Sequence, residues 1–343
     1  MSKGRVLGAL VGLAISIGAG YFSLRHVSLN AVWKALREAH YWYIAPALAT
    51  MSVGVVLRVQ RWRAMFPRDE RPGFSATFWA LVLGLFANNV LPARLGEVAR
   101  MAALARETGL RRTQVLTTIA VERVFDLAAL GLIAAVTLPL APSGSLRRNL
   151  TIATVVIFAA FVTLLAGLTS ARVRALGART IRRIPVLGGA RGERTIGSLR
   201  AGIDSLRDRR TLAIVMGWSL ASWIALSVSN YFVLSMFNTG APWHAAVISM
   251  LATNLAMVVP SSAASIGVFE VAARASLTLY GVPAALALSF ALVLHAVNVI
   301  PTLPLGGVAL ARVGISGREL VSGPEQEPLT DDPAGTGASD AMR

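Results

Sequence analysis

Two runs decide how this chain is read: N-N-V-L-P-A-R-L-G-E-V-A-R at 88–100 and E-R-V-F-D at 122–126. They place Asn88, Asn89, Arg94, Glu97, Arg100, Glu122, Arg123 and Asp126 among long apolar segments. A charge at bilayer depth costs about 2.5–3.5 kcal/mol on insertion scales, so such residues mark a binding site or a pathway. The remainder of the sequence has to justify them.

The 343 residues are 55% hydrophobic and 15% charged, with a mean hydropathy of +0.62. That balance suits a polytopic membrane protein. Uncharged stretches at 6–24, 72–93, 127–146, 149–171, 211–269 and 275–311 support it. About 20 apolar residues cross a bilayer as a helix, and the last two stretches have room for more than one crossing. Weak period-two alternation and abundant Ala and Leu favour helices over a barrel. Cysteine is absent, which excludes disulfides, thiolate catalysis and Cys-based metal sites. The net charge of +16 comes almost wholly from arginine and falls between the apolar runs, as loop charges do under the positive-inside rule, so nucleic acid is not the expected partner.

Lys3 and Arg5 precede an apolar run to Phe22, which reads as an uncleaved first span rather than a signal peptide. Residues 28–40 predict a short interfacial helix with Ala31, Trp33, Leu36 and Ala39 on its apolar side. A second span covers about 41–57 behind an aromatic belt, Tyr41, Trp42 and Tyr43. Arg58, Arg61, Arg63, Arg68 and Arg71 then read as a cytoplasmic loop. Further spans fall at about 115–140, 149–169, 211–236 and 284–311. Residues 170–210 form a basic loop with 11 Arg, and the tail from 312 reads as a disordered cytoplasmic segment behind a 1–311 membrane domain.

Counting arginines fixes the topology. A full crossing at 74–91 would put the two basic loops on opposite sides. A re-entrant hairpin over 74–105 puts both inside, and the same logic makes 245–281 a second hairpin entering from the other face. The expected fold is therefore all-α and polytopic: about six full transmembrane helices plus two broken re-entrant hairpins. Asn89, Pro92, Gly96, Glu97 and Arg100 in the first hairpin parallel Asn254, Pro260, Gly267, Glu270 and Arg274 in the second. Such an order is compatible with an inverted repeat, which places transporter sites near the midplane.

Arg94, Glu97 and Arg100 follow Pro92 at helical spacing, so Glu97 can pair with either arginine, and the arginine forks suit a phosphate. Snorkelling to the interface is the plain alternative. Glu122 and Asp126 share a helix face, while Arg123 is expected to point elsewhere. These carboxylates could neutralise arginines, relay protons or meet a lipid amine, or simply pair across helices. Ser261, Ser262 and Ser265 crowd the second break, where small polar residues suit exposed backbone or close packing. Glu270 and Arg274 are spaced for mutual pairing. His26, His40, His244 and His295 are scattered, and no metalloprotease, serine-hydrolase or P-loop motif occurs, so neither cofactor nor metal is expected.

The runs at 88–100 and 122–126, with P-S-S-A-A-S-I-G-V-F-E at 260–270 and R-W-R at 61–63, resemble the lysylphosphatidylglycerol synthase transmembrane-region family, also called flippase-like or UPF0104. The resemblance covers about residues 5–312. It implies movement of a lipid between leaflets, carried out in bifunctional members on an aminoacylated phospholipid made by a separate soluble domain. Other members are fused to glycosyltransferases or linked to hopanoid metabolism. With only a short tail after 312, it implies translocation without synthesis, beside a possible separate lipid-modifying enzyme. The positions it marks are Arg94, Glu97, Arg100, Glu122, Arg123, Asp126 and Glu270.

The expectation is a non-enzymatic lipid flippase of the bacterial inner membrane, both termini cytoplasmic, that moves or presents an anionic, amino-modified or polyprenyl-type lipid through a polar cavity. The alternatives are an enzyme or accessory subunit acting on a polyprenyl-phosphate sugar, and a scaffold for a partner enzyme.

Overall fold

Apolar composition without sheet-forming alternation leaves each segment to satisfy its own backbone, which only a helix does in lipid. Accordingly, every regular element among the described residues is helical. The computed structural model describes residues 3–25, 27–91, 95–169, 208–257 and 263–314. Pro92, Arg94, Pro260, Ser261, Ser262, most of the basic loop and the tail beyond 314 lie outside them.

The chain runs α1 (Lys3–Leu24), α2 (Leu29–Arg37), α3 (Ile44–Ala64), α4 (Phe74–Val90), α5 (Gly96–Thr108), α6 (Arg112–Thr137) and α7 (Ser145–Thr169). It continues with α8 (Arg209–Ser235), α9 (Trp243–Ala256), α10 (Val268–Thr278), α11 (Ala284–Val299) and α12 (Thr302–Val313). Three stretches are long and apolar enough to cross a membrane: Tyr41–Ala64, Arg209–Ser235 and Ala284–Val313, the last kinked at Pro301. At about 1.5 Å per residue, α1, α6 and α7 also exceed a ~30 Å hydrocarbon core.

The helices of both hairpins are shorter. α4 and α5 span roughly 25 and 20 Å, and α9 and α10 roughly 21 and 17 Å. Each pair folds back on itself, as the arginine count requires. In the first, Asn88 Oδ1 accepts the Gly96 N–H at 2.9 Å and so caps the start of α5. A Cβ on Gly96 would sit 2.1 Å from the Gly84 carbonyl oxygen, so the two backbones touch. Gly96→Ala is expected to cost about 1–3 kcal/mol by overpacking. A lowered thermal midpoint in detergent checks this, and an unchanged midpoint contradicts the close approach. The last helix clamps the hairpin: Asn89 Nδ2 donates to Thr302 Oγ1 at 2.8 Å, and Phe86 fills the space over Gly306. The second break, at 263–265, rests on α4, so the two hairpins meet there.

On α2 Val32 packs inward and its carbonyl accepts from Ser289 Oγ of α11, with Leu36 and Ala39 of the expected apolar side against the core and Trp33 58% exposed. One expectation is corrected. The arginines after the second span are not all loop. α3 continues to Ala64, because nothing in R-V-Q-R-W-R-A breaks a helix before Pro67. Arg58, Arg61 and Arg63 are therefore helical, with Arg61 fully buried.

Candidate functional site

α3 and α8 are the most intimately packed pair, and small residues allow it: a Cβ on Gly54 would strike Leu226. α6 crosses beside them, and α5 packs on α6. These four helices enclose a polar cluster. Arg61 pairs with Asp126 through Nη1 and with Glu122 through Nη2 at 2.8 Å. Arg100 Nη1 lies 3.1 Å from Glu122 Oε2, and its guanidinium stacks 4.9 Å from the Trp62 ring. Trp223 Nε1 donates to Asp126 Oδ1 at 2.9 Å, and Trp62 Nε1 to Thr118 Oγ1 at 2.9 Å. Arg58 stacks over Trp223 at 5.0 Å. Arg61, Arg100, Glu122 and Asp126 are all buried.

The i, i+4 spacing of Glu122 and Asp126 does put both on one face, as expected. Arg123 does not point elsewhere. Its long side chain reaches back to Glu122 at 3.2 Å and Asp126 at 3.6 Å, yet stays 54% exposed. Arg100 is committed to Glu122 across the helix pair, not to Glu97 on its own helix. Four guanidinium groups thus gather about two carboxylates, with half-buried Glu97 nearby. Several of their donors are spare: Arg58 Nε and Arg100 Nε and Nη2 are buried without a hydrogen-bond acceptor.

The other expected residues disperse. Asn88 and Asn89 brace the first hairpin. Asn254 bonds its own helix at the Met250 carbonyl. Arg274 does not pair with Glu270. It donates to the Phe22 and Ser23 carbonyls at the end of α1, where a cation suits the helix dipole. Glu270 instead accepts the Gly267 N–H at 2.6 Å and meets Nδ1 of His295, and Ser265 is buried in the same turn. Arg94, Ser261 and Ser262 lie outside the described residues. Beyond the cluster, Leu127, Leu130 and Gly131 of α6 line a small open-sided apolar crevice of about 80 Å³ against α7 and α9, with Asn254 also in its lining.

The sequence reading missed Arg61, Arg58 and His295. R-W-R was legible as a motif, but an arginine ending an apolar run looks like a loop until its carboxylates appear. His295 carried a clearer signal, a lone histidine inside the uncharged stretch 275–311.

The family model for the lysylphosphatidylglycerol synthase TM region matches residues 9–306. The chain belongs to this family. A curated relative, a UPF0104 membrane protein of Methanothermobacter thermautotrophicus, is 27% identical over 286 residues, 77% of this chain and 81% of the relative. No solved structure matches the chain. As a member of the lysylphosphatidylglycerol synthase transmembrane-region family, it is a multi-pass membrane protein whose matched region takes in all of the α3–α5–α6–α8 cluster.

Proposed function

We propose that this protein carries an anionic phospholipid between the leaflets of the cell membrane, with its phosphate held by the arginines of the α3–α5–α6–α8 cluster. The observation that supports the reading is the cationic surplus, four guanidinium groups around Glu122 and Asp126 with spare buried donors on Arg58 and Arg100. A planar fork matches two phosphate oxygens at once, and burial strengthens each charge-assisted bond. Arg123 offers a way in, since it is exposed and joined to both carboxylates. On α6 it is followed at i+4, i+7 and i+8 by Leu127, Leu130 and Gly131, which share its side of the helix and lead to the apolar crevice. A headgroup on Arg123 then leaves an acyl chain against lipid-like walls, so only the headgroup has to cross polar ground.

The cytoplasmic placement of both termini belongs to the same proposal. With Arg58 and Arg61 drawn into the cluster, Arg63, Arg68 and Arg71 still share a side with the 170–210 arginines. The family name raises a second possibility, action on a lipid made or altered by an enzyme, and one experiment addresses both. Reconstituted protein should exchange fluorescent phosphatidylglycerol between leaflets well above empty liposomes, and phosphatidylcholine more slowly. Exchange at the empty-liposome rate for every lipid tried would sink the carrier. A lipid of changed mass would move the assignment to catalysis.

A further inference from the structure

The second break holds a buried pair that the lipid reading does not use. Ala264 and Ser265 have φ of 54° and 58°, and Gly267 has 89°. Left-handed backbone at a non-glycine residue is strained and must be held in place. Two side chains hold it. Glu270 accepts the Gly267 N–H at 2.6 Å, and His295 of α11 lies with Nε2 3.0 Å from the Ala264 carbonyl oxygen. The two side chains meet each other, Nδ1 to Oε1. Both are buried, at 7% and 8% exposure, and Phe269 stacks on the imidazole at 4.6 Å. Gly267 itself packs against the backbone of α1, where a Cβ would lie 2.5 Å from the Ser16 carbonyl oxygen.

Counting protons gives the consequence. The Ala264 carbonyl only accepts, so Nε2 carries a hydrogen. A second hydrogen must lie between Nδ1 and Oε1, either on the ring or on the carboxyl. With both present the pair is net neutral. Remove one, and an Nδ1 lone pair faces a carboxylate buried in a poor dielectric, which is strongly unfavourable. Among the described residues no other acid is near enough to share the load: α1, α3, α4, α8, α9, α11 and α12 contain none. Their other ionisable groups are engaged or distant. His244 lies beside Tyr280 at the start of α9, Tyr21 is exposed, Arg312 stacks over Trp79, and Lys3 and Arg5 start α1 some 17 Å before Ser16. On α10, Arg274 turns to the end of α1. On α2, Lys34 and Glu38 pair with each other in the open.

We propose that Glu270 and His295 form a proton-binding site, and that release of its one exchangeable proton unlatches the 263–267 turn from α11. Since this turn rests on α4, the latch joins the two hairpins and gives the carrier a proton-driven step. Only the transport arm of the test rests on the lipid reading.

The absence of cysteine makes the test clean, because Ile266→Cys puts a single nitroxide label on an exposed residue of the turn. In nanodiscs, label mobility should rise as pH increases from 5 to 9. Adding Glu270→Gln should abolish the rise and keep the label immobile, since a glutamine amide accepts from Gly267 and donates to Nδ1 without titrating. An equal rise in the glutamine variant, or a flat response in the labelled parent, overturns the proposal. In liposomes, Glu270→Gln should slow lipid exchange by roughly tenfold and flatten its pH profile; a profile like that of the wild type also overturns it. A pH-dependent label in a protein that exchanges no lipid supports the proton site and removes the lipid reading.

Discussion

Arg61→Ala is expected to unfold the α3–α6–α8 packing, with a loss of about 3–5 kcal/mol. Arg61 is fully buried and paired with both Glu122 and Asp126. Its removal leaves Asp126 to Trp223 and the exposed Arg123, and two buried carboxylates without their central counter-ion. The measurement is the thermal midpoint in detergent, and a wild-type midpoint would mean that the network is not closed as described. A fourfold change, Arg61→Met and Arg100→Met with Glu122→Gln and Asp126→Asn, is the informative partner. Buried ionic triads can be exchanged for uncharged side chains of similar volume with little loss, so this variant should regain much of the midpoint. It should not regain lipid exchange, because the Arg61 and Arg100 guanidinium groups that would receive a phosphate are gone. Recovery of both would make the cluster structural only.

Arg100→Lys should do the opposite, keeping the fold while reducing exchange of anionic lipid by about 10- to 100-fold, the worth of one or two hydrogen bonds to a charged group. Lysine retains the positive charge facing Glu122, but loses the planar fork, the spare Nε and Nη2 donors and the stack on Trp62. Exchange rates for phosphatidylglycerol, read beside an unchanged midpoint, decide it. Exchange at the wild-type rate would show that charge alone suffices at this position and that the spare donors have no part.

Helix positions were legible because apolar length is a local signal. The hairpins were legible because arginine counts constrain topology whatever the packing. Glu122 and Asp126 could be read together, since i, i+4 spacing fixes a shared face before any partner is known. Arg61 could not be placed that way. Its burial depends on carboxylates far along the chain, and loop statistics outweighed a helix with no breaker before Pro67. Glu270 and Arg274 show the reverse error. Their spacing allows a pair, but the carbonyls ending α1 compete for the arginine, and His295 competes for the acid. Neither competitor is near in sequence.

The Arg61–Asp126 pair also bears on how the protein is made. Its partners lie 65 residues apart, and Trp223, which completes the site, follows Asp126 by a further 97. At roughly 5–20 residues per second, Arg61 joins the growing chain roughly 3–13 s before Asp126 does. During that interval a helix that is apolar enough to enter lipid carries an arginine without a counter-ion. Insertion of α3 to full depth is therefore expected to await α6, with α3 held until then at the interface or beside the insertion machinery. Nascent chains stopped before residue 126 should hold α3 shallow, and chains extended past it should let α3 sink to full depth.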